Sequence, residues 1–112
     1  MTDSDSEPSR LMTAEQVRSF IGGRILQAVD PDSGEVVATV TYGPGGACTV
    51  AFANGDTDEG SYGFVDHFYW TRYRRFRDGT ENRFALEPLG TGRAQAWHDD
   101  GRRAFIQAVV DG

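Results

Sequence analysis

Glu35-Val36-Val37-Ala38-Thr39-Val40-Thr41-Tyr42-Gly43-Pro44-Gly45-Gly46-Ala47-Cys48-Thr49-Val50-Ala51-Phe52-Ala53-Asn54-Gly55 is the stretch that decides the fold class. Val36, Ala38, Val40 and Tyr42 fall on one side of a period-two pattern, and Glu35, Val37, Thr39 and Thr41 on the other. That alternation belongs to a β-strand with unlike faces. Residues 43–46 break the run with three glycines and a proline, after which Cys48, Val50 and Phe52 share a face again. Asn54-Gly55 is a two-residue hairpin signal. Two short strands joined by a tight turn are therefore expected, with Cys48 as a small buried core residue.

The same rhythm runs outward in both directions. Residues 24–29 precede this hairpin across Pro31-Asp32-Ser33-Gly34, and residues 60–65, 67–76, 83–89, 93–98 and 102–110 follow it. Further turns are signalled near residues 66, 79, 91 and 100, two of them by Asp78-Gly79 and Asp100-Gly101. Eight short strands at regular spacing predict an antiparallel sandwich or barrel. Because every connection is short, each strand is expected to pair with its predecessor in an up-and-down meander. Closure into a barrel would remove both exposed edges. Eight strands enclose just enough room for packed side chains or one small ligand. The alternative is an α+β arrangement, one helix packed across a curved antiparallel sheet.

One helix is signalled, over residues 14–21. Thr13 stands as N-cap with Gln16 as its capping-box partner, and Met12 and Val17 have the spacing of a hydrophobic staple. Ala14, Val17, Phe20 and Ile21 form a stripe at helical period, and Gly22-Gly23 ends it. At two to three turns such a helix must dock on something to persist.

Composition limits the function classes. A chain of 112 residues is the size of one domain, expected over residues 11–112 after an acidic, solvated tail at 1–10. The net charge of −6 argues against general nucleic-acid binding, which needs a cationic surface. No apolar run reaches membrane-spanning length, and residues 1–10 lack the basic and apolar regions of a signal peptide. With Cys48 the only cysteine, a cytoplasmic protein is expected.

All eleven basic residues are arginines, and eight of them lie in residues 71–112. The densest segment is His67-Phe68-Tyr69-Trp70-Thr71-Arg72-Tyr73-Arg74-Arg75-Phe76. One face carries His67, Tyr69, Thr71, Tyr73 and Arg75, the other Phe68, Trp70, Arg72, Arg74 and Phe76. Neither is purely apolar, so one face is expected to line a partly polar cavity or both to be covered. Guanidinium forks suit carboxylate and phosphate. Arg72, Arg74, Arg75, Arg77, Arg83, Arg102 and Arg103 would then either grip an anionic small molecule or pair across strands with Asp56, Asp58, Glu59, Glu81 and Glu87. Tyr62 shares a face with Phe64 on the preceding strand. The expected ligand-binding set is Tyr62, Trp70, Arg72, Tyr73 and Arg74. Asp66-His67 and His98-Asp99-Asp100 match no metal-ligand spacing, and no catalytic triad, phosphate-binding loop or zinc motif is present. Neither catalytic residues, a metal nor a cofactor is therefore assigned. Trp97, opposite Ala94 and Ala96, is expected outside, where with Phe105 or Val109 it would form an apolar patch suited to homodimerisation.

Leu11-Met12-Thr13-Ala14-Glu15-Gln16, then Gly22-Gly23-Arg24, Gly60-Ser61-Tyr62-Gly63, Trp70-Thr71-Arg72-Tyr73-Arg74-Arg75, Asp78-Gly79 and Asp100-Gly101 together resemble the small bacterial lipocalin-like (calycin-type) barrel proteins. The resemblance spans about residues 11–110, though Gly23-Arg24-Ile25 stands where full lipocalins carry Gly-x-Trp. It implies a barrel holding a small hydrophobic or anionic ligand and carries over no catalytic residue. Three functions follow as expectations: a non-enzymatic ligand-binding barrel, a protein-interaction module, and a small barrel isomerase or cyclase with His67 or Asp66 pointing inward beside an arginine.

Overall fold

The computed structural model describes residues 11–110, with the Arg77 side chain excepted; the acidic segment 1–10 lies outside the described residues. Helix α1 (Ala14–Ile21) precedes strands β1 (Ile25–Val29), β2 (Val36–Tyr42), β3 (Ala47–Phe52), β4 (Thr57–Val65), β5 (Phe68–Tyr73), β6 (Glu81–Gly90), β7 (Arg93–His98) and β8 (Arg103–Val109). Short 3-10 turns lie at Pro44–Gly46 and Phe76–Gly79. Each strand pairs antiparallel with the next, and β8 returns to β1, so the sheet closes into an eight-stranded barrel.

The helix forms where its caps place it. Thr13 Oγ1 accepts from the Gln16 N–H at 3.2 Å, and Gln16 Oε1 accepts from the Thr13 N–H at 2.9 Å. Gly23, at φ +72°, supplies the left-handed turn that stops it. Val17 and Ile21 are fully buried, and Met12 is nearly so. The stripe docks at the mouth where β4 ends and β5 begins, and the Met12 N–H is tied to the Leu86 carbonyl at 2.7 Å.

Inward positions follow the period-two pattern. Leu26 and Ala28 of β1, Ala38, Val40 and Tyr42 of β2, Cys48 and Val50 of β3, and Tyr69 and Tyr73 of β5 are all buried. Ala94 and Ala96 are fully buried too, the small residues that a crowded barrel interior requires. The Asn54-Gly55 turn differs from expectation. Strand β4 starts at Thr57, so the loop covers residues 53–56, and of the pair only Gly55 takes positive φ, +98°. A type I′ hairpin needs both central residues there. Asn54 instead uses its side-chain oxygen to accept from the Asp56 N–H at 2.9 Å.

A bulge between β7 and β8 shapes the open end. Between Gln95 and Trp97 of β7 the partners in β8 run from Ile106 to Arg103, which leaves one extra residue in β8. Ala104 and Phe105 consequently both reach the interior. Gln95 spans the bulge, its Nε2 reaching Ala96 O at 2.9 Å, Phe105 O at 3.1 Å and Ala104 O at 3.3 Å. Gln95→Leu is expected to destabilise the protein by about 1–3 kcal/mol, the usual cost of stranding buried acceptors. Urea denaturation checks this; an unchanged midpoint would mean that water takes over the bonds.

Candidate functional site

The barrel has two unlike ends. The helix, with Met12, Val17 and Ile21, closes one. The other holds a cavity of about 480 Å³. Its walls are largely apolar, with Ala28, Ala38, Val40, Val50, Phe52, Phe84 and Phe105 among them. Tyr42, Tyr73, Thr71, Asn82 and His98 add polar atoms. Such a volume falls within the usual range for small-molecule sites, and close-packed cores rarely leave one unfilled.

The deeper interior is polar without being charged. Gln107, fully buried, donates from Nε2 to Tyr69 Oη at 2.7 Å and Tyr42 Oη at 3.2 Å, while its Oε1 has no partner among the described residues. Burial pushes the Tyr42, Tyr69 and Tyr73 phenols above their ordinary value and the Cys48 thiol up to about 11. All four stay neutral across the physiological range. Cys48 therefore lacks the thiolate a nucleophile needs.

Phe76 lies over the mouth, its ring 5.3 Å from Phe52 and 5.8 Å from Tyr73. Its position is set by Asp58, an inward residue at the start of β4. Asp58 Oδ2 accepts from the N–H groups of Arg75 at 3.0 Å and Phe76 at 2.8 Å, and Oδ1 accepts from Glu59 N–H at 2.8 Å. Burial works against the Asp58 charge, but these three donors and the Arg75 guanidinium outweigh it and hold the carboxyl below its ordinary value. A depressed folded-state value stabilises at pH above the unfolded carboxylate's, about 4. That contribution is lost as pH falls through the folded value. The Phe76–Gly79 turn is accordingly expected to loosen below pH about 4. Melting temperature against pH should show this acid-side fall in the wild type and a smaller one in Asp58→Ala; equal slopes would remove Asp58 from the account.

The five residues singled out from the sequence do not meet in one place. Tyr73 lines the cavity. Tyr62 points inward but nearer the helix-covered end, where its hydroxyl donates to Gly43 O at 2.6 Å and its ring meets Tyr42 edge-on at 5.0 Å. Trp70 lies on the outer face, its indole so close over Gly63 that a β-carbon there would sit 2.7 Å from the ring. Arg72 pairs outside with Glu81 at 3.5 Å, and Arg74 with Glu59 at 2.9 Å. Arg75 approaches Asp58 at 3.7 Å and Arg83 meets Glu81 at 2.8 Å. Arg72, Arg74 and Arg75 thus pair with carboxylates of neighbouring strands and Arg83 with one on its own strand, and no arginine whose side chain is described lines the cavity.

Other residues moved as well. Phe105 lines the cavity and Val109 packs on the core, so neither joins Trp97 in an outer patch. Trp97 is half-buried outside and donates from Nε1 to Glu87 at 3.0 Å. Asp66 and His67 form the β4–β5 turn and do not line the cavity. Asp30, at the mouth, has its Oδ1 engaged by the N–H groups of Asp32 at 2.8 Å and Ser33 at 3.2 Å. No cluster among the described residues could hold a metal ion, and no helix among them is long and apolar enough to cross a membrane. Thr71, Asn82 and His98 are the site residues that sequence reasoning missed. Asn82, Phe84 and Leu86 alternate in period two, a signal that extends β6 back to residue 81 and turns Asn82 inward.

No protein-family model, curated protein or solved structure matches this chain.

Proposed function

We propose that this chain is a non-enzymatic carrier or sensor that takes a small, uncharged, largely apolar molecule into the barrel through the mouth opposite the helix. The cavity of about 480 Å³ carries the proposal. An interior otherwise packed to 0% exposure at Leu26, Leu86 and Ala96 could have filled this space with larger side chains at Ala28, Ala38 and Ala104. Those alanines favour a guest. The lipocalin-like family fits this reading, as does a reducing cytoplasm for a lone buried thiol. Of the hydrophobic and anionic ligands that the resemblance implies, the lining favours the first, because the paired arginines stand outside. An isomerase or cyclase would have to work from His98, since Asp66 and His67 lie away from the cavity.

The test is a titration with N-phenyl-1-naphthylamine, a neutral probe that fluoresces when shielded from water. The wild type is expected to bind it. Ala38→Leu and Ala104→Leu, which plug the cavity, are expected to weaken binding at least about tenfold. Trp97→Ala, on the outer wall, should leave it unchanged. Absence of binding, or binding indifferent to both plugs, would overturn the proposal.

A further inference from the structure

We infer that the cavity selects a flat, neutral ring system bearing hydrogen-bonding groups along one edge only, of the phenol or lactam kind. This inference rests on the binding reading above and adds the chemistry of the guest.

The lining is divided by strand. Thr71 and Asn82 face each other across β5 and β6, with Tyr73 further along β5 and His98 on β7 beyond Phe84. Strands β1 to β3 contribute Ala28, Ala38, Val40, Val50 and Phe52 instead, and the one hydroxyl among them, on Tyr42, is engaged by Gln107 at 3.2 Å. A molecule filling this space therefore meets hydrogen-bonding groups along one side and hydrocarbon along the other. Phe84 and Phe105, with centroids 5.1 Å apart, and the tilted pair of Phe52 and Phe76 at 5.3 Å add aromatic surface, which suits a planar ring.

Asn82 is the group with bonding capacity to spare. It is only 7% exposed. Its Nδ2 reaches Thr71 O, Thr71 Oγ1 and Thr80 O, each at 3.4 Å. All three distances are at the outer limit for such bonds. A buried carboxamide normally secures shorter ones. A ligand hydroxyl or ring amide can give to Oδ1 and accept from Nδ2 at once. Charged guests gain nothing comparable: the ion-paired arginines are outside, and Asp30 is bound into its own turn. Burying an unpaired carboxylate in these walls is costly.

Three matched probes test this at neutral pH: naphthalene, 2-naphthol and 2-naphthoate. The wild type is expected to bind 2-naphthol about tenfold or more tightly than naphthalene, as one or two well-made hydrogen bonds provide. The naphthoate should bind weakest. Asn82→Leu should erase the naphthol advantage while naphthalene still binds, and Thr71→Val should reduce it, giving a second variant if the first folds poorly. Equal affinity for naphthalene and naphthol in the wild type would overturn the inference and leave the apolar-cavity proposal standing. So would an advantage that survives both variants. Tightest binding of the naphthoate would also overturn it. Failure of all three to bind the folded protein would overturn both.

Discussion

Gly60→Val is expected to prevent the barrel from forming. A β-carbon built at Gly60 falls 2.0 Å from the Arg72 carbonyl oxygen and 2.8 Å from the Tyr73 Cα. Both obstacles are backbone of the adjoining strand, so no rotamer change relieves the overlap. Strands β4 and β5 would have to part at the point where Gly60 opposes Tyr73. Tyr73 lines the cavity and Asp58, two residues before Gly60, secures the turn after β5, so the disturbance would reach the whole mouth. Overpacking commonly costs about 1–3 kcal/mol where side chains can yield. With unyielding backbone the loss should exceed about 3 kcal/mol, a large part of the stability of a domain this size. Circular dichroism and urea denaturation of Gly60→Ala and Gly60→Val check it. A folded Gly60→Val protein with a melting temperature near the wild type would show that the two strands are not held this close.

Tyr69→Ala is the second large effect. Tyr69 is fully buried, its ring 5.4 Å from Phe84 and 6.1 Å from Tyr42, and it accepts the Gln107 amide at 2.7 Å. Removing a buried aromatic costs about 3–5 kcal/mol. Loss of the hydroxyl leaves Gln107 with one weaker bond, and that amide already has an oxygen unpartnered among the described residues. The polar part is separable. Tyr69→Phe should cost about 1–2 kcal/mol, and adding Gln107→Leu should recover part of it, because deleting both partners avoids a stranded buried donor. Denaturant curves of the two single variants and the pair measure this coupling. Strict additivity would show that Gln107 and Tyr69 are not bonded in solution.

The fold was legible wherever local chemistry determines it. Thr13 and Gln16 mark the helix start, Gly23 its end, and the alternation from Val36 to Tyr42 the inward face. Closure followed from the short connections, since an open meander leaves two unpaired edges. The segment from His67 to Phe76 was harder because both its faces carry rings. The reason lies on the neighbouring strand. Gly63 has no side chain to cover the sheet, and Trp70, its register partner, spreads over it from outside. An aromatic residue that normally marks a core here shields a bare stretch of backbone. The expected site took Trp70, Arg72 and Arg74 together with Tyr73, but a strand alternates, and odd and even positions cannot share a cavity. Pairing partners for the arginines, Glu81 and Glu59, are set by register, which sequence spacing alone does not give. Ala104 and Phe105 both reach the interior only because of the β8 bulge, which nothing in their own sequence announces.

The seam between β1 and β8 also dictates when the molecule can come into being. Seven of its eight strand pairings join consecutive strands, whereas Leu26 must wait for Val109. A ribosome can release hairpin after hairpin, yet the ring stays open until residues 103–109 leave the exit tunnel. Until that moment β1 and β7 each offer a naked edge to any passing chain. The slow, long-range stitch is thus the last of the eight pairings whose two strands are both available.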